Sequence, residues 1–165
     1  MQMQNLEDLL KEDLKDVLHA ENQIVKALPK MIKKTSHPEL KEAMTNHLEQ
    51  TREHVNRVEQ VMGLLGMPVR GKVCKAMQGI IEEGKEVMGE DAEDDVMDAA
   101  LIGAAQKVEH YEIATYGTLC TYAELLGFEE AKRLLGQNLE EEKETDIKLT
   151  KLAEEVINLE AADQN

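Results

Sequence analysis

Apolar residues recur every three to four positions over five stretches of the chain, the period of an α-helix with one buried face. The first, residues 6–34, carries the seam Leu10, Leu14, Val17, Glu21, Ile24, Leu28 and Met31, and Pro29 is expected to kink its last turns or end it early. "TSHPEL" punctuates the pattern, with Ser36 and Glu39 spaced as a capping box and Pro38 in a first turn. Residues 38–65 follow, striped by Met44, Leu48, Thr51, Val55, Val58 and Met62. Beside that stripe, on the inward arc, lie Leu40, Ala43, His47, Gln50, His54 and Val61, and Gly66 and Pro68 stop the helix. A shorter helix over 72–89 turns Met77, Ile80, Ile81, Val87 and Met88 inward and is weakened by Gly84. Asp94 or Asp95 is expected to cap a long helix over 96–126, closed by Gly127. The last helix, 129–158, has the seam Ala131, Leu135, Asn138, Glu142, Thr145, Leu149, Leu152 and Val156, and the tail "EAADQN" is expected to fray.

Connection lengths set the topology. The links between the first two helices and the last two are a few residues long, so each pair is expected to be an antiparallel hairpin. About 30 residues separate the hairpins, enough to return along helices roughly 40–45 Å long at 1.5 Å per residue. The expected fold is all-α. It is a single ferritin-like domain over residues 1–165, two antiparallel hairpins of a four-helix bundle joined by a long crossover that holds one extra short helix.

The third long helix breaks the rule for a packed seam. Stepping along it gives Ala105, Glu109, Glu112, Tyr116, Leu119, Ala123 and Leu126, with two carboxylates where leucine belongs. Each of the other long helices also carries polar groups near its inward midpoint: Glu21 on the first, Gln50 and His54 on the second, Glu142 and Asp146 on the fourth. A lone glutamate on a seam is ordinarily a mis-phased helix, and a lone histidine an ordinary core residue. Coincidence at one depth argues otherwise, because uncompensated buried charges cost several kcal/mol each in a domain stable by only about 5–15.

The five carboxylates sum to −5, and two divalent cations bring +4. Oxygen-rich sites with an imidazole suit iron or manganese, while zinc favours fewer ligands and more His or Cys. The expected metal ligands are therefore Glu21, Gln50, His54, Glu109, Glu112, Glu142 and Asp146. Glu109 or Glu112, together with Glu142, would bridge or chelate. Tyr116, one turn beyond Glu112, reads first as core and second as an outer hydrogen-bond donor to the site. The rest of "LEEEKETD" reads as a solvated face.

Composition and charge narrow the partners. Aromatic residues are 2%, which disfavours a β-rich fold, and the net charge is −15, with 34 acidic against 19 basic residues. Nucleic acid and anionic membrane are excluded as primary ligands, and metal cations are the natural partners. No run is long enough to span a bilayer, the N-terminus lacks a signal-peptide pattern, and Cys74 and Cys120 are isolated. A cytoplasmic protein with free thiols is expected.

The strings "DVLHAENQIVKALPKM", "HLEQTREHVNRVEQV", "AALIGAAQKVEHYEIATYGTL" and "LEEEKETDIKLTKLA" resemble the YciE/YciF family of bacterial ferritin-like proteins over residues 6–153. The resemblance implies a bundle related to rubrerythrin and ferritin, a dimetal centre, dimerisation and a place in bacterial stress responses. Carried over, the centre would use Glu21, Glu109, Glu112, Glu142 and Asp146. The sequence departs from the family at Gln50 and His54, where Glu and Gln are usual. It also lacks the Glu-x-x-His pair of wider ferritin-like proteins, since Thr51 and Thr145 stand in the relevant places.

The leading expectation is a stress protein with two divalent ions, iron before manganese or zinc, that reduces peroxide or oxidises Fe(II). Its rival is a non-enzymatic structural or interaction protein with an empty or adventitiously metallated polar core. The small-residue patch Ala99, Ala100, Gly103 and Ala104 suits a homodimer under either reading. An iron-storage shell would need a higher assembly that nothing in the sequence encodes.

Overall fold

The computed structural model describes residues 3–163, and their secondary structure is helical throughout. The helices are α1 (Leu6–Lys34), α2 (Pro38–Leu64), α3 (Lys75–Gly89), α4 (Asp94–Leu125) and α5 (Glu129–Leu152). A π-helical turn, Ala153–Ile157, then leads into α6 (Asn158–Ala162).

Two apolar cores explain how the long helices are arranged. One gathers Leu10, Leu14, Val17 and Leu18 of α1, Val58 to Met62 of α2, Tyr116 to Ala123 of α4 and Ala131 to Leu135 of α5. The other gathers Ile24 to Met31 of α1, Leu40 to Leu48 of α2, Met97 to Ala105 of α4 and Leu149 and Leu152 of α5. Hence α1 and α5 begin at the first core, whereas α2 and α4 begin at the second. Each long helix is antiparallel to the one before and after it in a contact ring α1–α2–α5–α4. Since α2 ends at one core and α4 starts at the other, the crossover spans the length of the molecule. Helix α3 lies on α1 and α4 and adds Met77 to the second core. The Lys72 amide, donating to the Lys15 carbonyl at 3.0 Å, fastens the crossover to α1.

The helix ends follow local chemistry, with several departures from expectation. Gly66 (φ 64°) and Gly127 (φ 73°) take the left-handed conformation that favours glycine. Beyond them Met67 and Phe128 return amide bonds to Met62 and Ala123 at 2.9 Å, so both helices close with the same motif. Pro29 does not interrupt α1; it lies exposed inside the helix, which runs on to Lys34. Helix α3 starts at Lys75 rather than 72, with the Cys74 thiol capping it by accepting from the Met77 amide. Asp94 and Asp95 sit inside the first turn of α4 instead of capping it, where their charge favours the positive end of the helix dipole. The last long helix does not run regularly to 158. The π turn, closed by the Asn158 amide on the Ala153 carbonyl, inserts one residue, so the buried positions pass to Ala153 and Ile157 and Val156 is half-buried. The tail expected to fray continues as helix to Ala162, and residues 164–165 lie outside the described residues.

The expected Ser36–Glu39 capping box does not form. Buried Asp98 of α4 takes its place, accepting the Ser36 amide at 2.9 Å and the His37 amide at 2.7 Å. A tertiary carboxylate thus satisfies the amides that open α2. Asp98→Ala is expected to lower the unfolding free energy by about 2–4 kcal/mol, since hydrogen bonds to charged groups are worth more than neutral ones. A urea titration that shifts in midpoint with unchanged slope would show it.

Candidate metal centre

Between the two apolar cores lies a polar layer. Glu21 of α1, His47 and His54 of α2, Glu109 and Glu112 of α4 and Glu142 of α5 are all at most 5% exposed. Their ligand atoms form two overlapping groups, each within a 4.8 Å span: Glu21, His54, Glu112 and Glu142, and His47, Glu109, Glu112 and Glu142. Glu112 and Glu142 belong to both.

Helix geometry accounts for the convergence. His47 and His54 are seven residues apart, about 20° from perfect alignment at 3.6 residues per turn, so one face of α2 carries both. Glu109 and Glu112 are three apart and share a face of α4. Gln50 falls about 60° off the histidine line. It is half-buried, and its amide oxygen faces the Thr145 hydroxyl at 3.5 Å rather than the carboxylates. Asp146 is turned about 40° from Glu142 towards α4. Its carboxylate lies 4.0 Å from His110, with the side chain 27% exposed, and it stands in neither group. The structure therefore brings together Glu21, His54, Glu109, Glu112 and Glu142, adds His47, and leaves Gln50 and Asp146 at the margin.

Several close contacts lack hydrogen-bond alignment. His54 Nδ1 is 2.7 Å from Glu142 Oε1 and 3.7 Å from Glu21 Oε1, and His47 Nε2 is 2.9 Å from Glu109 Oε1. Even so, these ring nitrogens have no hydrogen-bond partner, nor do both oxygens of Glu112 and Glu142 and the Oε2 atoms of Glu21 and Glu109. Buried polar atoms in such concentration without partners are exceptional in native proteins. Nitrogen and oxygen atoms gathered this closely, several of them without a hydrogen-bond partner, are what a cation requires. Four carboxylates at −4 and two neutral imidazoles balance two divalent ions at +4, so the residues fit such a pair.

Without an ion the groups hold protons instead. Burial opposes charging of His47, but Glu109 and then Glu142 outweigh it and lift the ring to about 9. His54 is likewise opposed by burial and lifted to about 11 by Glu141, Glu142 and Glu21. Burial pushes Glu112 well above the usual carboxylate range, and the charges of Glu142 and Glu21 push it further. Burial raises Glu109 too, against the pull of His47. Glu142 goes the other way: burial opposes its ionisation, but Glu109 and His54 hold it at about 2.

Outer contacts orient parts of this layer. Tyr116, fully buried, donates to Glu21 Oε1 at 2.5 Å and fixes that carboxylate. His54 Nε2 is 2.7 Å from Glu141 Oε2, and Arg57 holds both oxygens of Glu141 at 2.8 and 3.0 Å while also donating to Asn138 at 2.9 Å. Glu141, read from sequence as part of a solvated face, is therefore an inner partner of His54. Burial works against its ionisation, but His54 and Arg57 keep it at about 2. The signal was present in the Arg57/Glu141 charge pair, but nothing in either helix alone places the two opposite each other. A carboxylate behind a ligating imidazole fixes the ring and makes it more basic, so Glu141→Ala is expected to weaken metal binding by about 10–100-fold in a chelator competition.

These features define a helical protein with a buried carboxylate–imidazole cluster that could hold metal. The chain belongs to the DUF892 family, described as a domain of unknown function, whose profile matches residues 5–162. Protein YciF of Escherichia coli (strain K12) is 47% identical over 162 residues, 98% of each chain. The crystal structure of that stress protein matches with a TM-score of 0.88 at 48% identity, over 92% of this chain and 96% of the other. YcfI from Rhodopseudomonas palustris, described as a candidate structural protein, matches at 0.87 and 47% identity, over 90% and 94%. A Xanthomonas campestris protein at 23% identity shares the fold, with a TM-score of 0.77 over 98% and 99%. No helix among the described residues is long and apolar enough to cross a membrane.

Proposed function

We propose that this is a cytoplasmic bacterial stress-response protein with a ferritin-like four-helix bundle. Its polar layer holds two divalent metal ions, iron before manganese or zinc, and serves the reduction of peroxide or the oxidation of Fe(II). The carrying observation is the buried set of four carboxylates and two imidazoles whose ligand atoms gather into two overlapping groups, with many of their polar atoms unpartnered. Glu112 and Glu142, common to both groups, would hold both ions, with Glu21 and His54 completing one set of ligands and His47 and Glu109 the other. A pair of redox metals so held supplies two electrons at one place. Around it Tyr116 pins Glu21, Glu141 and Arg57 pin His54, and the apolar cores on either side limit water. The likeness to a protein described as a stress protein supports the physiological setting. A homodimer through the Ala99–Ala104 patch is part of the proposal, since Ala100 and Gly103 there are exposed.

Protein from iron-supplemented cells should carry about two metal ions per chain, and Fe(II) with peroxide should give a spectral change. The Glu112→Ala/Glu142→Ala double variant should lose both. Equal metal in that variant would overturn the assignment. Full metal content without turnover would favour a structural role, the description given to the Rhodopseudomonas relative.

A further inference from the structure

Beside the polar layer lies a cavity of about 230 Å³, lined by residues of all five helices α1 to α5. Its walls are apolar, built from residues such as Ile24, Leu28, Met44, Ile81, Met88 and Val108. Its floor includes His47 and Glu109, members of the second ligand group. Lys26 and Lys30, one turn apart on α1, and Lys85 on α3 line its outer part. All three are exposed, and among the described residues none is ion-paired. In a chain of net charge −15, one opening with three free lysines and a single carboxylate, Glu109, reverses the local sign.

Gly84 lies buried on the cavity wall. A Cβ placed there would meet nothing within 4 Å, so packing does not require glycine. The missing side chain leaves the space open, at a cost of helix propensity.

We infer that the cavity binds a linear aliphatic monocarboxylate, its carboxylate on Lys26, Lys30 and Lys85 and its tail reaching towards His47 and Glu109. A cavity of 150 Å³ accepts benzene, so this one takes roughly nine or ten carbons. Apolar walls with three lysines at the outer part fit an amphiphile with a single anionic head. The binding does not depend on the function proposed above.

The test is titration of the full chain, metal-free and metal-loaded, with straight-chain carboxylates from hexanoate to hexadecanoate and with decanol. One-to-one binding should tighten about threefold to fourfold per methylene up to about decanoate and then level off. Gly84→Leu should weaken decanoate at least tenfold without lowering the melting temperature. Lys26→Gln/Lys30→Gln/Lys85→Gln should weaken decanoate about tenfold and leave decanol unchanged. Absence of saturable binding, equal affinity for decanol and decanoate, or full binding by Gly84→Leu would overturn the inference. Co-sedimentation with phosphatidylglycerol vesicles would also overturn it, by assigning the lysines to a membrane surface. Glu112 does not line the cavity, so decanoate binding by a Glu112→Gln protein that has lost its metal sustains the inference. Decanoate binding by a wild-type protein that holds no metal sustains it as well, while removing the proposed centre.

Discussion

Glu112→Gln is expected to stabilise the metal-free protein and to empty both metal positions. Neither oxygen of Glu112 has a partner, the side chain is fully buried, and the charges of Glu142 and Glu21 face it. Exchanging such a group for a neutral one of equal shape is expected to raise metal-free stability by about 1–3 kcal/mol. In the proposed centre the same exchange would take a ligand from each ion, because Glu112 is common to both groups. A loss of about 3 kcal/mol at each position is at least a hundredfold in affinity. Thermal melts with and without Fe(II) or Mn(II) read both effects. The wild type should rise with metal, while the variant should start higher and stay there. A variant that melts lower without metal would make Glu112 a structural partner and sink the idea that its burial is tolerated for a cation.

The metal-free protein is expected to be most stable in mildly acid solution and to weaken as pH rises. His47 and His54 ordinarily titrate near 6.5 and are lifted to about 9 and about 11. Their contribution is fully present below 6.5 and is lost as pH rises through the folded values. Glu109 and Glu112, raised from 4.5, act in the same sense and begin the decline earlier. Glu141 and Glu142, held at about 2, contribute above 4.5 and lose that contribution as pH falls towards 2. At about 1.4 kcal/mol per pKa unit, the two histidines alone account for several kcal/mol by pH ~9. Metal reverses the slope, because ligands release protons to bind it, so the loaded and metal-free stabilities should diverge with rising pH. Urea unfolding at acid, neutral and alkaline pH checks this. A metal-free protein equally stable across that range would mean that the imidazoles and carboxylates do not share protons as their contacts imply.

Much of the candidate site was legible because a helix has one period. The seam of α4 placed Glu109, Glu112 and Tyr116 on the buried face, and all three are buried there. The seam of α1 did the same for Glu21, as that of α5 did for Glu142. On α2 the period was ambiguous, because His47, Gln50 and His54 all fall within the inward arc. Which of them meets the carboxylates depends on how α2 is rotated against α5, and that contact turns Gln50 towards Thr145. Asp146 falls outside both groups for the same reason, turned about 40° from Glu142 to the α4 side.

Sequence alone determined the helices, the face each one buries and the fact that acids stand on those faces, because side-chain periodicity and connection length are local properties. Tertiary structure decided the rest: His47 as a partner of Glu109, Glu141 as the support of His54, Asp98 as the cap of α2, and the phase change at the π turn. Each of these depends on the relative depth and rotation of helices far apart in the chain. Those are set by packing of the two apolar cores as wholes, and no single helix carries that information.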